Sequence, residues 1–214
     1  MGVNTDEKSS WGLSTRRWRP KALITLAWLL GLMGNAFSVE AIVSNPSPVQ
    51  IQEAVLRGEA IAGKRHPPIN LYAHFGQSEG FSPHGFLMTK LGGVAVLTGH
   101  FALRGEKPSP ADIDNILGEE ALQIVVTVFG DSPFFARDSY VLLKQGETLI
   151  KPVRIRADGR AAAIETMHNQ PAFRAKIVAS FPYGSFSPEA KTIISVFPGV
   201  GGEVNFPLDF SSIP

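Results

Sequence analysis

Between residues 121 and 210 apolar and polar residues alternate over short runs, and Gly, Pro, Asp and Ser cut each run off. This pattern restricts the fold more than any other feature, because a period of two suits only an extended chain with one face buried. The clearest run is Phe173–Phe181, where Phe173, Ala175, Ile177, Ala179 and Phe181 alternate with Arg174, Lys176, Val178 and Ser180. The first set is expected to face the core. Leu122–Phe129 is strongly β-forming and stops at Gly130-Asp131, and Tyr140–Lys144 and Thr148–Ile155 flank a hairpin turn at Gln145-Gly146-Glu147. Asp158-Gly159 is the strongest hairpin cue, since this pair suits the two positive-φ positions of a type I′ turn. It is expected to fold Leu149–Arg156 back on Ala161–Met167. Thr192–Phe197 and Glu203–Phe210 are joined by Pro198–Gly202. Pro207, with no N–H to give a ladder, places the last strand at an edge. Val204, Phe206, Leu208 and Phe210 share one face of that strand, which is therefore expected to be integral to the domain.

Upstream, Gly92–Gly105 (GGVAVLTGHFALRG) reads as one long strand or two joined at Gly99. Helical signals are few. Ser109 is placed to cap a two-turn helix that starts at Pro110, carries Asp112 in its first turn and stops at Gly118. Gln50–Gly63 reads as a short helix, with coil and some strand as the competing reading. Val43–Pro48 is a linker by composition, Gly76–Gly85 a loop. Seven to nine short strands with turns every eight to twelve residues predict an all-β fold, an antiparallel β-sandwich with one or two short helices. Immunoglobulin-like or a related topology is expected as the commonest sandwich; there is no cysteine pair to support it. The expected organisation is an export signal at 1–41, a linker and irregular part at 42–91, and the β-sandwich at 92–214.

The export reading rests on Arg16, Arg17, Arg19 and Lys21, followed by the apolar stretch Ala22–Met33 and then Gly34, Asn35 and Ala36. A basic region, a short apolar region and small residues form the layout of a secretory signal. From Ala22 to Val39 a helix would barely cross a hydrocarbon core of roughly 30 Å. Cleavage is therefore expected, with retention as a membrane anchor the alternative. Trp18, Arg19 and Pro20 argue against a twin-arginine route. The expected location is periplasmic or secreted. Beyond residue 41 there are fifteen Lys/Arg and sixteen Asp/Glu, a balance that argues against a nucleic-acid partner. The absence of cysteine removes disulfides, thiolate metal sites and thiol nucleophiles together.

Few constellations carry chemistry. His74, His84 and His100 fall within 27 residues, and imidazole suits Cu or Zn. No pair has tight chelate spacing, so the chain is expected to need no cofactor, with Cu or Zn on these three as the alternative. No Gly-x-Ser-x-Gly elbow exists. Asp112, Asp114, Glu119 and Glu120 read as the solvated surround of a short helix rather than a calcium loop, and neither glycine-rich piece has the context of a phosphate cradle. Arg154, Arg156 and Arg160 gather near the Asp-Gly turn, read as ordinary solvated alternation. Phe134, Phe135, Tyr183 and Phe186 sit in loops, where aromatics either plug a core or meet a partner. They are the candidate partner-binding residues.

The resulting expectation is an exported, non-enzymatic β-sandwich that binds a protein partner, self-associates, or serves as a structural component of an envelope or secreted assembly. A periplasmic Cu/Zn-binding protein and a secreted hydrolase stand as alternatives. The export reading predicts a mature chain beginning between residues 37 and 42, read by N-terminal sequencing of protein from the envelope fraction; a start at Met1 contradicts it.

Overall fold

The computed structural model describes residues 42–64, 66–165 and 170–213. The export segment expected at 1–41 lies outside them, as do His168 and the end of the strand expected to reach Met167.

The short helix expected over Gln50–Gly63 forms and is longer, and a stretch expected to be extended is a helix too. α1 runs Pro48–Gly63, and α2 runs Lys90–Ala102 over the stretch expected to be β. Thr89 caps α2, its side chain accepting the Gly92 N–H at 3.0 Å. Leu91, Gly92, Gly93, Val94, Ala95, Val96, Thr98 and Gly99 are all buried in α2. A helix buried on every side loses the polar stripe that marks helical period, and its sequence then resembles a buried strand. Its glycines mark close approaches: a Cβ at Gly93 would meet the Ile116 side chain, and one at Gly99 would meet Ile61 and Pro68. α3, Pro110–Leu117, forms as its sequence predicts. Ser109 and Asp112 make a reciprocal capping box, with Ser109 N–H donating to Asp112 Oδ2 at 2.8 Å, and the Ser109 hydrogen bonds hold the Asp112 carboxyl below its usual pKa. The helices pack on one another around Ala54, Leu91, Val94 and Ala95.

Among the described residues ten strands form two open antiparallel sheets. Sheet A contains β1 (Ala73–Gly76), β2 (His84–Met88), β3 (Ala121–Gly130), β8 (Phe173–Pro182) and β6 (Arg154–Ala157) in that order, with β7 (Ala162–Ala163) also on β8. Sheet B runs β10 (Val204–Asp209), β9 (Lys191–Phe197), β4 (Tyr140–Gln145), β5 (Thr148–Ile150). The run expected as one strand over Thr148–Ile155 is broken at Lys151-Pro152-Val153: β5 stays in sheet B and β6 joins sheet A. The Asp158-Gly159 turn does not make a hairpin. β6 and β7 both pair with β8 instead of each other, and Asp158 Oδ2 accepts the Lys176 N–H at 2.8 Å. The turn at Gly146 does form, with φ 59°, and β10 lies at an edge, where Pro207 costs no ladder bond to a further strand.

Both sheets feed one apolar core. Leu122, Ile124, Val126, Ile177, Ala179 and Phe181 enter from sheet A, and Val141, Leu143, Ile194 and Val196 from sheet B. Phe75 of β1 meets Phe206 of β10 at 4.9 Å between ring centres, and beyond β10 Phe210 and Ile213 are also buried in this core. The all-β, immunoglobulin-like sandwich is therefore corrected. This is a mixed α and β fold, with helices of 16, 13 and 8 residues beside two open sheets. Residues before 92, expected to be linker and irregular, supply α1, β1, β2 and the start of α2.

Two measurements check this packing. Removing residues 203–214 takes Phe206, Phe210 and Ile213 out of the core and is expected to abolish cooperative thermal unfolding; a soluble truncated monomer with an unchanged transition would contradict it. Within α1, a Cβ at Gly58 would overlap the Ala95 carbonyl oxygen and the Thr98 side chain, whereas one at Gly63 meets nothing. Gly58→Ala is expected to lower Tm, while Gly63→Ala leaves it equal or higher, since alanine favours helix over glycine by roughly 0.5–1 kcal/mol.

Candidate functional site

Register decides which side chains share the outward face of sheet A. Pairing aligns Met88, Gln123, Ser180 and Arg154 in one row across β2, β3, β8 and β6. The next row holds His74, Phe86, Val125, Val178 and Arg156, and the one beyond it His84, Thr127 and Lys176. Successive strand residues point to opposite sides. These rows therefore lie on the face opposite Ile124, Ile177 and Ala179, which are in the core.

On this face Gln123, Arg154, Arg156, Val178 and Ser180 enclose a basin of about 200 Å³. Both arginines are exposed, and Lys176 and Arg174 extend the positive charge along β8. Among the described residues the ion pairs are Arg104–Glu106 at 3.1 Å and Lys107–Glu59 at 3.2 Å, so none of these four cations is neutralised there. Asp158, at the margin, is engaged with the Lys176 backbone. The Gln123 amide and the Ser180 hydroxyl make no side-chain hydrogen bond among the described residues. Two guanidinium forks, an amide and a hydroxyl thus converge with their donors free, and a forked guanidinium matches the geometry of a carboxylate or phosphate.

Gln123 also borders a second recess of about 70 Å³, lined by Tyr72, Met88, Lys90, Ile116, Ala121 and Tyr183 among others. Tyr72 stacks on Phe86 at 5.1 Å, and the Lys90 ammonium lies 5.3 Å from the centre of the Tyr183 ring. Burial raises the Tyr72 pKa and pushes that of Tyr183 up to about 12; Glu119 adds to the rise at Tyr183 and the Lys90 backbone opposes it. Both phenols are neutral at ordinary pH.

Sheet B carries a larger hollow, about 550 Å³, around Ile193, Pro207 and Leu208, with Lys144, Lys191 and Asp209 among its lining residues. It is the weaker candidate despite its size. Lys191 and Asp209 face each other across the β9–β10 register, so their charges offset, and the Asp209 carboxyl is already held by Ser211. Specific small-molecule sites combine an apolar wall with converging polar groups, and this hollow lacks such convergence.

The residues singled out from sequence are dispersed. His74 is on β1, His84 on β2 and His100 in the last turn of α2. His74 Nε2 is 2.9 Å from the Ile69 carbonyl, and His84 Nδ1 is 2.9 Å from that of Ser82. Among the described residues no three His, Cys, Asp or Glu side chains gather as metal ligands, so the three histidines do not form the Cu or Zn site considered above. Phe135 is buried against Gly130, and Phe186 is buried edge-on to Phe210 at 5.7 Å. Phe134 is exposed, with the Arg137 guanidinium 4.5 Å from its ring centre, and Tyr183 lines the recess beside Lys90. Gln123 and Ser180 had no distinguishing signal in sequence, since each reads as an ordinary outward position of a strand. The shared face of Arg154 and Arg156 was legible; their missing counter-charges were not.

The raised pKa of Tyr183 has a measurable sign. An unfolded tyrosine ionises near 10.0 and the folded one at about 12, so the native state holds this proton more tightly. Its contribution to stability is complete below pH 10 and is lost as pH rises from there through 12. Tyr183→Phe is expected to remove the most alkaline step from the phenolate absorbance titration and to flatten the fall in Tm across that window.

Compared with protein-family models, curated proteins and solved structures, the chain matches none. The expectation of a β-sandwich acting in protein binding or assembly is corrected on the fold, since the described residues form a mixed α and β domain, and no match supplies the role.

Proposed function

We propose that the domain binds an anion, a carboxylate or a phosphate, on the outward face of sheet A. One observation carries the reading: Arg154 and Arg156 flank a concave basin with no carboxylate among the described residues paired to either, beside the free donors of Gln123 and Ser180. Two like charges held side by side on one strand face repel, and a bound anion relieves that repulsion while filling the donors. The basin's size suits a small acid group rather than an extended contact. Because both guanidinium groups reach solvent, the anion needs to desolvate them only in part, and the interaction is expected to weaken with added salt.

Hydrogen bonds to charged groups contribute roughly 1.5–3 kcal/mol each. Replacing either arginine by alanine is therefore expected to weaken binding of inorganic phosphate by about tenfold or more. Phosphate titrations followed by backbone amide shifts in the wild type should move resonances at Gln123, Arg154, Arg156 and Ser180. The double variant Arg154→Ala/Arg156→Ala should keep its Tm, since both side chains are exposed, and lose those shifts. Neither phosphate nor acetate shifting these residues in the wild type, or the same shifts in the double variant, overturns the reading.

A further inference from the structure

Resting on that reading, we infer that the acid group held at the basin belongs to an extended acidic peptide, and that Lys176 and Arg174 take the next two carboxylates along it. Pairing puts Arg154 in the row of Ser180 and Arg156 in the row of Val178. Lys176 and Arg174 hold the following two rows of β8, on the same outward face. Four successive rows thus carry one cation each, and the stripe shifts sideways by a single strand where β6 ends at Ala157. All four side chains are exposed. Beside them the face is uncharged: Gln123, Val125, Thr127 and Phe129 follow along β3, and Ala162 of β7 stands opposite Arg174. Of the acids that adjoin the stripe, Asp158 already accepts the Lys176 backbone N–H on Oδ2 at 2.8 Å, and Asp131 and Glu165 lie past the ends of β3 and β7. None of them forms an ion pair with the four cations among the described residues, so the stripe stays net positive.

The period of the stripe selects the ligand. Outward rows of a strand recur about every 6.8 Å, and alternate side chains of an extended peptide do the same. A segment Glu-x-Glu-x-Glu lying along β8 therefore keeps step with the cations. Its first carboxylate sits between Arg154 and Arg156, its second at Lys176 and its third at Arg174. Within the basin the contact remains one acid group, as a volume of about 200 Å³ requires, and the Gln123 amide and Ser180 hydroxyl stay with that group. The long cationic side chains flex, so the match needs only a shared period and no fixed distance between charged ends. A single-stranded nucleic acid also presents charges in series, but it binds by stacking its bases on aromatic rings. On this face the rings are taken: Tyr72 covers Phe86 at 5.1 Å, and Phe129 packs against Phe81 at 5.7 Å and His84 at 6.0 Å. Charge in step, without a stacking platform, suits carboxylates on a peptide.

The test sets two labelled peptides of equal composition against the whole protein at low salt: acetyl-Thr-Glu-Thr-Glu-Thr-Glu-Thr-amide, and acetyl-Thr-Thr-Glu-Glu-Glu-Thr-Thr-amide. Both carry the same charge, but only the first presents all three carboxylates on one side when extended. By fluorescence anisotropy it is expected to bind about threefold tighter, the effect of one more exposed ion pair. Its amide shifts should run from Arg154 and Arg156 on to Thr127, Lys176 and Arg174, whereas acetate should move the basin residues alone. The double variant Arg174→Gln/Lys176→Gln should weaken the alternating peptide about tenfold and leave the acetate shifts in place. A thymidine tetranucleotide, with three phosphates, should bind more weakly than that peptide. Equal affinity for the two peptides, shifts confined to the basin, no loss in the double variant, or tighter binding of the tetranucleotide each overturns the inference. The anion reading then stands if acetate or phosphate still shifts the basin. No shift from acetate, phosphate or either peptide ends both. Should the double variant not fold, the two peptides on the wild type decide alone, and equal affinity overturns the inference.

Discussion

The pairing of β3 with β8 organises this domain. It runs without a break from Ala121↔Pro182 to Gly130↔Phe173, the longest ladder among the described residues, at the centre of sheet A. On its inner side Leu122, Ile124, Val126 and Val128 face the same core as Ala175, Ile177, Ala179 and Phe181. Moving the register by one residue would send all of them to solvent, so burial of this face fixes the alignment. The same alignment sets Gln123 beside Ser180 on the outer side. Core and candidate site are therefore two faces of one ladder, and the energy that holds the first also positions the second.

That arrangement accounts for a basin with open valences. Interior positions are fixed by close packing, and their side chains have little latitude. On the outer face Val125 is buried between Phe86 and Val178 of the neighbouring strands, which anchors the middle of the sheet and leaves a polar margin around it. Arg154 and Arg156 reach that margin only because β6 leaves the company of β5 and crosses from sheet B to sheet A. Without that crossing, the two arginines would lie on a different surface from Gln123 and Ser180. Where other cations of the chain have acidic neighbours, as Lys107 has Glu59 and Lys191 has Asp209, these two form no ion pair among the described residues.

The helices contribute differently. Their own small core around Ala54, Leu91, Val94 and Ala95 depends on a close approach of α1 and α2 at Gly58, where a side chain would strike the Ala95 carbonyl. α2 begins directly beyond β2 at the Thr89 cap, so the helical cluster is set at one end of sheet A. There Lys90, Gly93 and Ile116 close the recess that continues the basin.

Local physics made part of this legible from the residues alone. The alternation in Phe173–Phe181, the Ser109 cap of α3, the glycine turn at 146 and the edge position of the Pro207 strand each depend on a few neighbouring residues, and each is present in the structure. Three outcomes needed the whole fold. Gly92–Gly99 became helix because α1, α3 and the Pro68 segment bury it on every side, and full burial erases the difference between a helical and an extended pattern. The Asp158-Gly159 turn gave up its hairpin because β8 offered both flanking strands a longer partner. The basin exists because three strands distant in sequence were brought into one row. Short-range preference is written in a window of a few residues, whereas the choice of a pairing partner is a competition among distant segments, decided only when the chain buries its core.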